Sequence, residues 1–245
     1  MTRSDLLTSV TMAVFDLVPD ARGRAPDPCP REQRVDWKTR RPDLAGVLCV
    51  TGSCSNAGKT TVCEDVLAAL AEAGRPAVAL KVTRTHLETC PRENDDCGVC
   101  DDLDVPYRIV RARSELDVRG KDTARYLAAG AAEVLWLIVD PAHMGAGVEG
   151  ALRFVPDGAL LLAEGNSFRD HLDGEVLTIM AMTDEGKIKP SALHVIDRAS
   201  AFVGGPEVRQ AAQSVLREAR VHEHPWVSPD AIGAWVLARL EGPKA

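Results

Sequence analysis

No apolar run in this 245-residue chain approaches the roughly 18 to 20 residues that a helix needs to cross a bilayer. The N-terminus also shows no charged leader followed by an apolar stretch and a small-residue cleavage site. These two absences predict a cytoplasmic protein with no membrane partner. Basic residues are in deficit, 29 Lys and Arg against 36 Asp and Glu, for a formal net charge of −7. A protein that tracks a nucleic-acid backbone normally carries a basic face, so no nucleic-acid partner is expected. Cysteines number seven, and an odd count without a secretory leader reads as thiols, ligands or catalytic groups rather than a disulfide framework. The 45% hydrophobic content is ordinary for a chain with a real core, enough for one large α/β domain or two small ones.

The stretch 47–61, VLCVTGSCSNAGKTT, organises the rest. An apolar β-prone run (Val47, Leu48, Cys49, Val50) ends in small residues, and Lys59, Thr60 and Thr61 then open an amphipathic helix. Backbone N–H groups can wrap a di- or triphosphate only where side chains are too small to block the approach. The predicted nucleotide-binding residues are therefore Gly52, Ser53, Cys54, Ser55, Asn56, Ala57, Gly58, Lys59, Thr60 and Thr61. Lys59 would reach the β- and γ-phosphates, and the Thr60 hydroxyl would hold Mg²⁺. The strict pattern G-x-x-x-x-G-K-[ST] is missed by one position, because five residues separate Gly52 from Gly58. A glycine-rich turn that merely precedes a lysine is the alternative. The buried-type strand before the loop, and Val62, Val66, Leu67 and Leu70 on one helical face after it, argue against that.

Residues 1–44 read as a partly flexible extension: one short amphipathic helix around Leu6, Leu7, Val10 and 12–18, then a charge-rich solvated tether over 21–44. Residues 45–245 form the predicted P-loop nucleotide-binding domain, with a Cys-bearing insert at 86–105. Expected strands are 47–50, 77–82, 107–112, 133–139, 160–163, 176–182 and 193–196. Expected helices are 59–73, 122–129, 206–219 and 229–240, with Gly74 just past the first and Ser228 and Pro229 starting the last. The alternation predicts an α/β fold, a mostly parallel sheet with helices on both faces. Ligands in such sheets sit at the carboxyl ends of the strands.

Charged residues at or near those ends carry much of the predicted chemistry. Lys81 falls in an apolar run, where an ammonium is costly unless it meets an anion, unless the side chain simply snorkels from the strand end. Arg84 and His86 follow closely. Glu164 ends LLLAE and is the carboxylate that would partner Thr60 for Mg²⁺, with helix capping as its alternative role. Lys59, Lys81 and Glu164 are thus the predicted catalytic residues. Asp140 is a weaker candidate, because Pro141 after it also marks an ordinary turn.

These residues resemble two known families. The glycine, five residues, then Gly-Lys-Thr spacing is similar to that of dethiobiotin synthetase, which also places a lysine at the end of the second strand and Glu-Gly at the end of a later one. A closer resemblance is to the molybdopterin-guanine dinucleotide biosynthesis protein B (MobB-like) family. Its motif of Gly-Lys-Asp-Ser, an arginine and Ala-Gly-Ala is similar to Gly120, Lys121, Asp122, Thr123, Arg125 and Ala129-Gly130-Ala131 here. The resemblance covers roughly 46–168. It implies a P-loop nucleoside triphosphate hydrolase fold and a Mg²⁺-dependent ATP- or GTP-binding enzyme, a hydrolase or a phosphoryl-transferring kinase or ligase, in a homodimer. Lys81, Arg84, Lys121, Asp122 and Arg125 would face a small anionic substrate. Dethiobiotin synthetases carry acidic residues in the loop, where this chain has Cys54 and Asn56. Guanine-reading relatives carry Asn-Lys-x-Asp after a late strand. The nearest counterpart is Asp197-Arg198-Ala199-Ser200, in which Ser200 replaces the base-reading carboxylate. This predicts ATP over GTP, or no strong preference.

His86, Cys90, Cys97 and Cys100 form H-x3-C-x6-C-x2-C in a hydrophilic loop. Two thiolates two residues apart can grip one tetrahedral ion, so Zn²⁺ is expected, with an iron–sulfur cluster that recruits Cys54, or free thiols, as the alternatives. Two functions then stand: an ATP-dependent enzyme acting on a small anionic molecule, or a nucleotide-gated accessory protein that serves a client in molybdopterin-cofactor or metal-centre assembly.

Overall fold

The computed structural model describes residues 28–85, 103–185, 187–218, 220–221 and 224–242. The helix expected within 6–18 and the cluster of His86, Cys90, Cys97 and Cys100 lie outside the described residues. In chain order the strands are β1 (Val35–Asp36), β2 (Gly46–Gly52), β3 (Ala77–Arg84), β4 (Tyr107–Val110), β5 (Glu133–Val139), β6 (Leu160–Glu164), β7 (Leu172–Asp173), β8 (Leu177–Ala181), β9 (Ala201–Val203) and β10 (Trp226–Val227). The α-helices are α1 (Trp37–Arg40), α2 (Lys59–Glu72), α3 (Arg113–Leu116), α4 (Asp122–Ala128), α5 (Met144–Leu152), α6 (Asn166–Asp170), α7 (Pro190–Leu193), α8 (Pro206–Glu218) and α9 (Ile232–Leu240).

Eight strands form one sheet in the order β10-β9-β8-β2-β6-β3-β5-β4, parallel throughout except for the antiparallel edge pair β4–β5. Continuous apolar strands follow from burial on both faces. In β2, Leu48 and Val50 enter one core cluster while Val47 and Cys49 enter another on the opposite face. The first cluster includes Val62, Val66, Leu67 and Leu70 of α2 and Ile232 and Val236 of α9. The second includes Met144, Val148, Ala151 and Leu152 of α5. Helix α2 ends as expected at Gly74, whose N–H donates to the Ala71 carbonyl while Arg75 N–H reaches Leu70, a Schellman pairing.

Register sets the functional end of the sheet. Val50 pairs with Glu164, Glu164 with Lys81, and Gly52 with Ala181, so the loop after β2 and the ends of β3, β6 and β8 converge. Among the described residues, no helix is long and apolar enough to cross a membrane.

Three expectations need correction, and one helix was not expected. Residues 28–44 are no solvated tether. Trp37 is only 5% exposed and its indole N–H donates to the Glu175 carbonyl at 3.0 Å, while β1 pairs in parallel with β7. One buried tryptophan contributes about 2–3 kcal/mol, enough to dock a segment whose other residues are mostly polar. Residues 193–196 are not a strand. Pro190 begins α7, a 3-10 turn follows at Ile196–Arg198, and the strand comes later, at Ala201–Val203. The last helix starts as a 3-10 turn, Pro229–Ala231, and Ser228 precedes it without a side-chain capping bond. Helix α5 was not among the expected elements; its sequence MGAGVEGAL carries glycines that weaken a helix in isolation. Packing requires those glycines: a Cβ at Gly150 would stand 2.8 Å from the Tyr107 ring, and one at Gly147 3.1 Å from Leu137 and Val139.

Candidate functional site

The loop 53–58 leaves β2 at the centre of the sheet and enters α2 at Lys59. Asn56 and Gly58 are left-handed, at φ 61° and 81°, so the chain can curl tightly. Gly52 sits under the Lys59 side chain, and a Cβ there would come within 2.8 Å of Lys59 Cγ. The Lys59 ammonium rests over the loop, 3.4 Å from the Cys54 carbonyl. Asn166, the first residue of α6, holds the loop base from below: its amide oxygen accepts from Gly52 N–H at 2.9 Å and its amide nitrogen donates to the Gly52 carbonyl at 3.0 Å. Ser53 is tied to β8 and its following loop, donating to the Ala181 carbonyl and accepting from Lys189 N–H at 2.8 Å.

A cavity of about 660 Å³ opens above this loop. Of the predicted nucleotide-binding residues, Ser55, Asn56, Gly58, Lys59, Thr60 and Thr61 line it, whereas Gly52, Ser53, Cys54 and Ala57 do not. The three predicted catalytic residues, Lys59, Lys81 and Glu164, all line it. So do Arg84, Asp122 and Arg125, but Lys121 does not; it is exposed and precedes α4. Arg125 is committed to Glu64 on α2 through two hydrogen bonds of 2.8 and 2.5 Å.

Glu164, 4% exposed, is the hub of one side. One of its oxygens accepts from Lys81 at 3.0 Å, and the other accepts from the Thr60 hydroxyl at 3.2 Å and from the Tyr126 phenol. Lys81 also meets Asp122 at 2.6 Å. Burial would push the Lys81 ammonium down, but Glu164 and Asp122 outweigh it, so it stays protonated above the usual range. Burial likewise raises the Asp122 carboxyl, yet the Lys81 ammonium and then the Thr60 hydroxyl carry it below the usual range. The Tyr126 phenol is raised, mostly by burial and then by Cys63 and Glu164, so it remains a donor.

Lys189 lies on the other side, in the loop after β8. Its ammonium has no hydrogen bond or ion pair among the described residues. Burial, followed by repulsion from Lys59 and Arg84, pushes it down to about 8.

Tyr126, Asn166 and Lys189 escaped sequence reasoning. Asn166 follows Glu164-Gly165 directly and could have been suspected from that adjacency. Lys189 gives no such signal, because only the β2–β8 pairing brings its loop to the site.

The counterpart proposed for the base-reading motif falls elsewhere. Ser200 precedes β9 and exchanges hydrogen bonds with Thr178 at the start of β8, lining a second cavity beside Gly46 and Val47 at the far end of the sheet. Its serine therefore gives no ground for preferring ATP over GTP.

Cys29, Cys49, Cys54 and Cys63 are free thiols. Burial pushes Cys49 up to about 12 and raises Cys63, so both are inert core residues. Among the described residues, no group of three or more His, Cys, Asp or Glu side chains is placed to hold a metal. Neither a scan of protein families nor a search of curated proteins found a match to this chain.

Proposed function

We propose that this protein is a Mg²⁺-dependent P-loop nucleotide-binding enzyme that hydrolyses ATP or GTP, or transfers the terminal phosphoryl group to a small anionic molecule. One observation carries the reading: the loop that opens α2 presents Thr60 Oγ1 3.2 Å from Glu164, at the end of the neighbouring parallel strand. A hydroxyl and a carboxylate so placed, beside small loop residues and a lysine, are the parts that phosphoryl transfer uses.

The donor set suits Mg²⁺, which takes oxygen ligands and keeps several waters beside phosphate oxygens. Thr60, Asp122 and Glu164 are the residues that would hold it. When bound, Mg²⁺ neutralises charge on the phosphate oxygens. Backbone N–H groups of 53–59 and the N-terminus of α2 would cradle the phosphates, with Lys59 reaching over them. Arg84, at the end of β3, faces the remaining space, where an anionic acceptor would bind.

Calorimetry with MgATP and MgGTP, paired with phosphate-release assays, tests this reading. Micromolar or tighter binding that disappears without Mg²⁺ is expected. Failure to bind either nucleotide would overturn it.

The second reading is the nucleotide-gated accessory protein. It is favoured by α4, which carries the segment resembling the MobB-like family and sends both Asp122 and Tyr126 into the network around Glu164. A client that grips α4 would sense the state of the site. Turnover of nucleotide with no acceptor present, modulated by such a client, would favour it over the kinase.

A further inference from the structure

Lys189 sits where an ammonium is hard to justify by stability alone. It lines the cavity with Lys59 and Arg84 and lacks any ion-pair partner among the described residues. Leaving a partly buried charge unpaired is unfavourable. Its backbone is not loosely placed: Lys189 N–H donates to the Ser53 carbonyl at 2.8 Å, Pro190 starts α7, and the Ser191 hydroxyl accepts from Asn166 at 3.3 Å. Asn166 in turn grips both polar groups of Gly52. Two clips thus stitch the 189–191 segment to the loop base. In sheet order β2 and β6 separate β8 from β3, so Lys189 and Lys81 approach the loop from opposite sides.

Resting on the phosphate-loop reading above, we propose that Lys189 is a second phosphate-binding lysine, which contacts the terminal phosphoryl group of a bound nucleoside triphosphate from the side opposite Lys81. Lys81 is held by Glu164 and Asp122 and Lys59 rests on a loop carbonyl, whereas Lys189 has no ion pair among the described residues to break before it meets new negative charge. Contact with a diphosphate is not required of it. Burial and the nearby Lys59 and Arg84 cations depress its proton affinity, and an arriving phosphate would restore it.

The test is calorimetric titration of the full chain with MgADP and MgGDP against their non-hydrolysable triphosphate analogues, using wild type, Lys189→Gln and Lys189→Arg. Lys189→Gln should weaken triphosphate binding by about tenfold or more while changing diphosphate binding by less than about threefold. Lys189→Arg, which keeps the charge, should recover most of the loss. An unchanged triphosphate affinity, or equal losses for both ligand classes, would overturn the proposal but leave the phosphate loop standing. Wild type that binds none of the four ligands would overturn both. Melting curves of the free proteins guard the inference: Lys189→Gln should melt no lower than wild type, and a variant that fails to fold would make Lys189 structural and overturn its role as a ligand.

Discussion

Lys81 and Lys189 face one cavity and differ in almost everything else. Lys81 is closed in by two carboxylates and kept protonated, part of a network in which Thr60, Tyr126 and Asp122 also hold their positions. Lys189 has no ion-pair partner among the described residues, and burial with the nearby Lys59 and Arg84 outweighs the more distant Glu164, pressing it towards neutrality. The first side is organised without a ligand, so on the proposed reading its groups would need little rearrangement to meet phosphates. The second side holds a cation that burial and its neighbours disfavour, which an anion would relieve. Such local violations of polar pairing are expected at functional sites rather than in scaffolds.

The contrast can be broken in order of effect. Lys81→Met would leave Glu164 buried and one partner short, and should destabilise the free protein by about 3–5 kcal/mol in urea unfolding. A loss below about 1 kcal/mol would show that the network is solvent-relaxed. Lys59→Ala should weaken Mg-nucleotide binding by roughly a hundredfold while barely changing stability, because the ammonium meets a single loop carbonyl at 3.4 Å. Equal calorimetric affinity in that variant would sink the phosphate-loop reading.

Lys189→Met should have the opposite sign to Lys81→Met, stabilising the free protein at pH 7 by about 1 kcal/mol or more. The advantage should depend on pH. Folding lowers the Lys189 ammonium from its reference of 10.5 to about 8. Between those values the unfolded chain binds more protons than the folded one, so wild-type stability rises with pH through that window. The gap between variant and wild type, full below pH 8, should therefore close as pH climbs towards 10.5. A gap that stays constant or widens would contradict an unpaired Lys189.

Much of the candidate site was legible because it is local. A strand, a run of small residues and a lysine at a helix start lie within 47–61, and Lys81 and Glu164 announce themselves as charges near or at the ends of apolar strands. Most of what escaped depends on contacts distant in sequence. Trp37 docks through a carbonyl 138 positions away. The apolar residues of 193–196 resemble a strand, but Pro190 begins a helix and the three-residue strand β9 follows. That shift also moved the expected base-reading residues to the wrong end of the sheet. Glycines that weaken a helix in isolation permit α5 because Tyr107 needs the space. Lys189 belongs to this second class, since its position follows from β8 lying beside β2.

The smallest expected effect is a proton count, and it joins the two sides of the comparison most directly. With its ammonium near 8, Lys189 is neutral in about half of the free molecules at that pH. A phosphate beside it favours the charged form, so binding should draw a proton from the buffer, about half a proton per nucleotide at pH 8 and almost none at pH 6.5. Calorimetry in two buffers of different ionisation enthalpy reads this as a difference in apparent binding heat. Lys59, Arg84, Cys54 and Glu164 also act on Lys189, and the nucleotide itself titrates, so the Lys189→Met variant supplies the baseline. The uptake attributable to Lys189 is the difference between the two proteins, and it should be larger for triphosphates than for diphosphates if the terminal phosphoryl group is what the ammonium meets. Lys81, already protonated by its carboxylates, should add nothing at either pH. Identical proton counts in wild type and Lys189→Met would mean that the nucleotide leaves Lys189 as it found it, and the asymmetry between the two lysines would then be a property of the free protein only.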